Sequence, residues 1–355
     1  MNYLGRDTAR RVRKRLCGCR RTWHAMSLLL MLMPLSVQSQ SPSIFTAAWW
    51  NVENLFDTRD DPHTADDDFT PRGDYHWTRR KLNDKIQGLY KTLLQMELPD
   101  VVGLAEVENA WVLKELCNAT PLRQFGYRYV HYDSPDRRGV DVGLIYNPKY
   151  FKLTNSKSYP TIIPEDPNHI TRDQLVVSGL FDGEPMHFIV MHWPSRAGGE
   201  KRSMPGRLAA ATLCRHIADS ILNDDPNAKI IMMGDFNDYP DNKTVTKHLR
   251  ALGDMKNLRN GEFFNPMYDL HKKGIGTNYY RDVPGVLDQT ILTPALLPTD
   301  YSSYQFKNVK VHNKEFLKQH GGKYNGYPFR TFGSGVWMDG YSDHFPVYVV
   351  LLKKV

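Results

Sequence analysis

Residues 230–237 read IIMMGDFN, an apolar run that ends in Gly234, Asp235, Phe236 and Asn237. Such a run is at home only inside a sheet, and its end delivers polar groups to one edge of a core. In open α/β sheets ligands bind at that edge, beyond the strand ends. Asp235 can accept a proton or orient a water, and Asn237 can donate to a developing oxyanion. The same two residues equally suit a β-turn, where Asp and Asn bond their own backbone.

The pattern recurs, and the recurrence favours chemistry. Residues 44–51 (IFTAAWWN) read as a buried strand followed by Val52, Glu53 and Asn54. Residues 101–107 (VVGLAEV) carry Glu106 near the end of an apolar run, where a glutamate needs a basic partner or a metal. Residues 187–193 (HFIVMHW) place His192 before Pro194, Ser195 and Arg196. A lone strand histidine is usually a core residue; one leading into a Ser-Arg turn at this edge suits a phosphate contact. Asp288 interrupts the apolar stretch 286–292 and needs a partner. Asp343 and His344 precede the last apolar run, 345–352.

Between these strands, 77–97 and 203–222 show helical spacing, the second with Arg207 and Arg215 expected at its surface. Residues 242–252 read as a short helix and 154–174 as a surface loop leading into a strand. Residues 127–147 read as two strands joined by DSPDRRG, whose arginines, Arg138 among them, suit an anion. The acidic loop 57–74 lacks the spacing of an EF-hand and reads as solvated. Residues 301–338 are long, irregular and basic. They read either as a substrate-facing wall, with Arg330 as its anion contact, or as a surface insertion.

Residues 1–40 hold eight of the chain's 46 Lys and Arg and one of its 39 Asp and Glu. The basic start, the apolar run 26–37 and the polar residues after it have the order of a secretory signal peptide. The run is too short to span a bilayer. Export to the periplasm or medium is expected, with Met26 as an alternative start and 41–355 as one catalytic domain. Without the leader, 38 basic residues face 38 acids, so no uniform electrostatic grip on nucleic acid is expected, although a local basic groove is compatible. Cys117 and Cys214 remain, expected as small buried side chains in helices.

The strand-end oxygens suit a hard cation, Mg2+ or Mn2+, rather than zinc. The chain has no HExxH, no Cys/His cluster, no GxSxG and no Walker A loop. An activated water, a cation on the phosphoryl oxygens and relief of charge on the leaving oxygen are what phosphate-ester hydrolysis needs.

In order, the motifs WWNVEN (49–54), GLAEVEN (103–109), VMHWPSR (190–196), GDFND (234–238), LDQTIL (287–292) and YSDHFPV (341–347) resemble the endonuclease/exonuclease/phosphatase superfamily, in its exported bacterial branch. The resemblance implies an α/β four-layer sandwich, two mixed β-sheets face to face and flanked by helices. It implies Glu106 as the main metal ligand, with Glu53, Asn51 and Asp343 around the same ion. Asp235 would position or deprotonate the attacking water, and Asn237 and His192 would hold the phosphoryl oxygens, His192 also serving the leaving group. His344 would act at the phosphate, oriented by Asp288. Arg138, Arg196 and Arg330 are the expected substrate contacts. Two residues depart from the family pattern: Glu53 stands where Asp is frequent, and His192 where some nucleases carry Tyr. The expected activity is metal-dependent phosphodiester hydrolysis, in first place by a nuclease acting on nucleic acid. A phosphatase or a phospholipid or inositol-phosphate phosphodiesterase is the alternative, and an inactive binding module the remote one. A monomer without a membrane anchor is expected.

Overall fold

The computed structural model describes residues 42–120, 122–168 and 171–354. The expected leader, with Met26, Cys17 and Cys19, lies outside the described residues. Gln40–Val355 form one compact unit. Among the described residues no helix is long and apolar enough to cross a membrane.

The strands are, in chain order, β1 (Ser43–Leu55), β2 (Val101–Val107), β3 (Arg128–His131), β4 (Asp141–Tyr146), β5 (Phe151–Tyr159) and β6 (Gln174–Phe181). Then come β7 (Glu184–His192), β8 (Ile230–Asp235), β9 (Ala251–Leu252), β10 (Phe263–Phe264), β11 (Asn278–Tyr280) and β12 (Val283–Gly285). The last are β13 (Asp288–Leu292), β14 (Gln305–Val311), β15 (Phe332–Gly333), β16 (Val336–Trp337) and β17 (Val347–Lys353). The α-helices are α1 (Arg79–Gln95), α2 (Ala110–Asn118), α3 (Leu122–Phe125), α4 (Glu200–Asp224) and α5 (Met267–Lys272).

One sheet has the order β14-β17-β1-β2-β4-β3 and the other β5-β6-β7-β8-β13-β10-β9. Both are mixed: β1 runs parallel to β2 and β7 to β8, while β17, β4 and β13 pair antiparallel with their neighbours. Alternation assigns the layers. In β1, Phe45, Ala47 and Trp49 join Phe188, Val190, Ile231 and Met233 in one core between the sheets. Ala48, Trp50 and Val52 point the other way, into a core shared with Leu82, Ile86, Leu89 and Leu93 of α1 and Val112 of α2. In the second sheet Ile189, Met191, Ile230 and Met232 pack instead on Ala210, Cys214 and Ile217 of α4. Period-2 strands between period-3.6 helices give the expected four-layer sandwich. Gly103 permits the close approach of the sheets, since a Cβ there would lie 2.7 Å from Met233 Sδ.

Local chemistry sets the helix starts. The Thr78 side chain accepts from the Lys81 amide ahead of α1, and Asn109 accepts from the Trp111 and Val112 amides ahead of α2. Cys117 and Cys214 are free and buried in α2 and α4.

Four sequence expectations need correction. The segment 154–174 is partly β5, an edge strand whose polar, exposed residues hide its period. The basic segment 301–338 contains β14, paired to β17. Residues 242–252 form a π-helical turn, Thr244–Leu249, and then β9. Arg207 is buried, its Nε 2.8 Å from Asp238 Oδ1, although Arg207 was expected at the surface.

Candidate active site

The parallel pairs β1/β2 and β7/β8 bring their C-terminal ends together, and the backbone there breaks its own pattern. The β1–β2 register shifts between Asn51 and Leu55, and the β2–β4 register between Ala105 and Val107. β1 therefore does not stop at Asn51. It kinks, and Glu53, Asn54 and Glu106 adopt left-handed φ of 51°, 58° and 60°. Asn237, after β8, does the same at 49°. Each such residue costs about 1–2 kcal/mol, and bulges of this kind re-aim side chains next to functional sites.

Asn51 sits at the junction these bends create. Its Nδ2 lies 3.4 Å from Glu106 Oε1 and 3.3 Å from Asp235 Oδ2, while its Oδ1 accepts from the Glu53 amide. Glu106 Oε2 accepts from the Asn54 amide at 3.0 Å. Residues more than 50 positions apart in sequence thus share one hydrogen-bonded edge.

Asp235 is buried, and burial pushes its carboxyl up to about 6 against the pull of His344 and the Asn237 and Asn51 hydrogen bonds. Oδ1 accepts from the Asn237 amide at 2.9 Å, so the turn and the polar site are the same structure. His344 Nε2 lies 3.9 Å from Asp235 Oδ2, and His344 Nδ1 is 2.6 Å from Asp288 Oδ2. Asp288 has no exposure and its other oxygen accepts from Trp49 Nε1 at 2.8 Å. Burial opposes a charge on His344, but Asp288, Asp343 and Asp235 outweigh it and hold the imidazole well above its usual pKa. These carboxylates favour the charged imidazolium over the neutral ring.

His192 is the opposite case. Burial, then the nearby Arg172, Arg138 and His344, drive its pKa well below the usual value. Its Nε2 lies 3.6 Å from Asp235 Oδ2 and its buried Nδ1 has no hydrogen-bond partner. A neutral ring can donate a hydrogen bond to a phosphoryl oxygen. The lowered pKa favours that hydrogen-bonding part of its expected role over proton delivery to a leaving group. Asn237 Nδ2 donates to the Trp193 carbonyl at 2.9 Å, leaving its second hydrogen for a ligand.

A second group of carboxylates lies beside this one. Glu53 Oε1 accepts from Arg330 Nε at 3.1 Å and Oε2 from the Thr331 amide; Arg330 Nη2 also meets Asp343 Oδ2 at 3.1 Å. Burial, then the Asp343 charge, raise the Glu53 pKa. Lys85, wholly buried on α1, donates to Thr331 Oγ1 and the Tyr341 carbonyl, and Glu53, Asp343 and Glu106 all act on its charge. Three carboxylates face two cations here. The donors are carboxylate and carboxamide oxygens, which suit a hard divalent ion. Glu106 and the partly exposed Asp343 would hold it, with Glu53 acting through Arg330 and Thr331; Asn51, expected among the ligands, turns its Nδ2 toward Glu106 and gives its Oδ1 to the Glu53 amide. Asp235, Asp288 and His344 also present ligand atoms within 4.8 Å of one another. The imidazole and Asp288 already hydrogen-bond each other there, while Asp235 stands 3.9 Å from the imidazole, beyond hydrogen-bonding distance.

The three expected substrate arginines differ in placement. Arg138 is half-exposed, donates to Asn54 Oδ1 at 2.6 Å and lies 3.6 Å from Glu106 Oε2. Arg330 bridges two acids. Arg196 donates to the Asn237 carbonyl at 2.7 Å and to Asp238 and Asn242, with its guanidinium over the Tyr239 ring. These bonds make Arg196 a brace for the 237–242 loop rather than a free anion contact. Sequence reading missed Asn54, Lys85, Asp238 and Arg172. For Lys85 the one signal was a lysine at i+3 from Leu82, on the apolar stripe of a helix.

The family model of the endonuclease/exonuclease/phosphatase family matches residues 46–353. The chain belongs to that family. Its members are divalent-metal-dependent hydrolases of phosphate ester bonds, and this chain is a hydrolase of that class. Solved structures repeat its fold. A family protein from Bacteroides thetaiotaomicron is 16% identical with a TM-score of 0.54, covering 88% of this chain and 96% of that one. D. rerio TDP2, complexed with a single-strand DNA product, is 16% identical with a TM-score of 0.53 over 87% and 99% of the two chains. A mannosyl-6-phosphatase from Bacteroides thetaiotaomicron is 16% identical with a TM-score of 0.52 over 86% and 99%. No curated protein is significantly similar to the chain.

Proposed function

We propose that the chain hydrolyses a phosphate ester by direct attack of water, with Asp235 as base. The observation that carries this reading is the position of Asn51 between Glu106 Oε1 and Asp235 Oδ2, at 3.4 and 3.3 Å. It puts a cation-holding acid beside the proton acceptor.

Asp235 takes the proton of the water. Raised to about 6, its carboxyl is ionised at neutral pH yet nearer that pH than an ordinary aspartate, which strengthens a general base. Asn237 and neutral His192 donate to phosphoryl oxygens, and the His344 imidazolium adds a full positive charge where negative charge develops. Asp288, fixed by Trp49, keeps that imidazolium oriented. A bound Mg2+ or Mn2+ held by Glu106 and Asp343 would supply Lewis acidity and charge neutralisation at the phosphate.

The centre reads only the phosphate, and the walls read the alcohol. Similarity to a TDP2 bound to DNA product supports a nuclease, and similarity to a mannosyl-6-phosphatase supports a monoesterase. The equal numbers of acids and bases in residues 41–355 favour a small ester over a polyanion. We further infer an exported monomer, on the leader composition for the first part; sequencing the mature N-terminus and sedimentation test the two. The activity is tested by turnover of bis-p-nitrophenyl phosphate and p-nitrophenyl phosphate with and without chelator.

A further inference from the structure

Four hydrogen bonds in series link the two sides of the candidate site. In the segment between β3 and β4, the Arg138 amide donates to Asp136 Oδ1 at 3.0 Å. Asp136 Oδ2 accepts from Arg172 Nη1 at 2.9 Å, and Arg172 stands just ahead of β6, in the other sheet. Arg172 Nη2 reaches on to the Trp193 carbonyl at 2.9 Å, and Asn237 Nδ2 donates to the same oxygen at 2.9 Å.

The ends of this series are the groups that face the phosphate. Arg138 lies 3.6 Å from Glu106 Oε2 and donates to Asn54 Oδ1, on the side assigned to the cation. Asn237 follows Asp235 on the side assigned to the phosphoryl oxygens. Both guanidiniums also act on His192: after burial, Arg172 and then Arg138 lower its pKa most.

The pair in the middle is buried, with side-chain exposures of 9% for Arg172 and 6% for Asp136. A buried ion pair adds little stability over an apolar pair of similar volume, because desolvation offsets the attraction. What this one adds is direction. The guanidinium is a rigid fork, and one Nη serves the carboxylate while the other serves the carbonyl. A lysine ammonium has no such fork.

We propose that Asp136 and Arg172 are a positioning pair for phosphate-ester hydrolysis, setting the span between the Glu106 side and the Asn237 side of the site. The inference rests on the phosphoesterase reading. Both residues act through Arg138 and Asn237 rather than on the ester. A phosphate must meet the cation side and the Asn237 and His192 donors at once, and a misplacement of about 1 Å costs about 10²-fold in rate.

Three variants test this at saturating Mg2+, on whichever nitrophenyl ester the wild type hydrolyses: Asp136→Asn, Arg172→Lys, and the apolar exchange Asp136→Leu with Arg172→Met. Each is expected to lower kcat at least about tenfold, with KM and the half-saturating Mg2+ concentration moving less than about threefold. The apolar exchange is expected to melt cooperatively at about the wild-type temperature or above it. A purely structural pair would leave kcat intact in that folded protein. The Asn237 side-chain amide signal in 15N NMR, assigned by its absence from Asn237→Asp, is expected to shift in both Arg172 variants. Wild-type kcat in the folded apolar exchange, an unmoved Asn237 signal, or loss of cooperative melting in all three variants would overturn the proposal. A wild type that turns over no phosphate ester instead sinks the phosphoesterase reading, while the NMR signal, measured without turnover, still reports on the link.

Discussion

His344 Nδ1 lies 2.6 Å from Asp288 Oδ2, at the point where the turn before β17 meets the start of β13. The pair is buried, and Trp50 Nε1 and Ser342 Oγ fix the His344 backbone around it. An imidazolium cannot persist in such a site without its carboxylate.

Asp288→Asn removes the charge but keeps the shape. It is expected to lower kcat by about 10²–10³, and His344→Ala by about 10³–10⁴, with far-UV circular dichroism unchanged. Steady-state kinetics on a nitrophenyl ester measures both. Loss of less than tenfold in both variants would remove the pair from the chemistry.

Lys85 is the cation on which Glu53, Asp343 and Glu106 all act, and it donates to Thr331 and Tyr341. Lys85→Met keeps the packing and deletes the charge. The expected cost is about 2–3 kcal/mol, that of losing charged hydrogen bonds in a buried place. Urea unfolding of wild type and variant gives the number directly.

His312 is buried against Phe316 and Tyr348, and burial followed by Lys314 lowers its pKa to about 4. The unfolded chain binds this proton near 6.5, so between the two values the unfolded state holds more protons and stability rises with pH. The stabilising effect is full above about 6.5 and is lost as pH falls toward 4, worth about 3 kcal/mol in all. His312→Phe should flatten the part of the melting-temperature profile between pH 4 and 6.5. An unchanged slope would show that His312 titrates alike in both states.

Much of the site was legible because its residues stand at the ends of apolar strands. Asp235, Asn237, Glu106 and His192 each follow or end a run that only a sheet could bury. The layers came only from the family resemblance; the apolar run of β1 and the helical stripe of α1 are compatible with them but do not establish them. What escaped notice has a common cause. β5 and β14 lie on sheet edges, so water rather than a core sets their side chains. Lys85 and Arg172 are ordinary surface types in sequence, made buried only by distant partners such as Tyr341 and Asp136. The left-handed kinks at Glu53, Asn54 and Glu106 likewise arise where two sheets meet, and no local pattern announces them. Arg196 shows the converse: its neighbours suggest an anion contact, while tertiary structure commits it to the Asn237 loop.

The central claim is that Glu106 and Asp343 gather a divalent cation beside Asp235, with Asn51 bridging Glu106 and Asp235. The most direct measurement is hydrolysis of bis-p-nitrophenyl phosphate by chelated protein, titrated with Mg2+ and Mn2+, for wild type and Glu106→Gln. The account predicts no turnover without metal, recovery on titration, and a half-saturating metal concentration about tenfold or more higher in the variant, as removal of a carboxylate from an oxygen-donor site requires. Full turnover in chelator, or identical metal titrations for the two proteins, would contradict it.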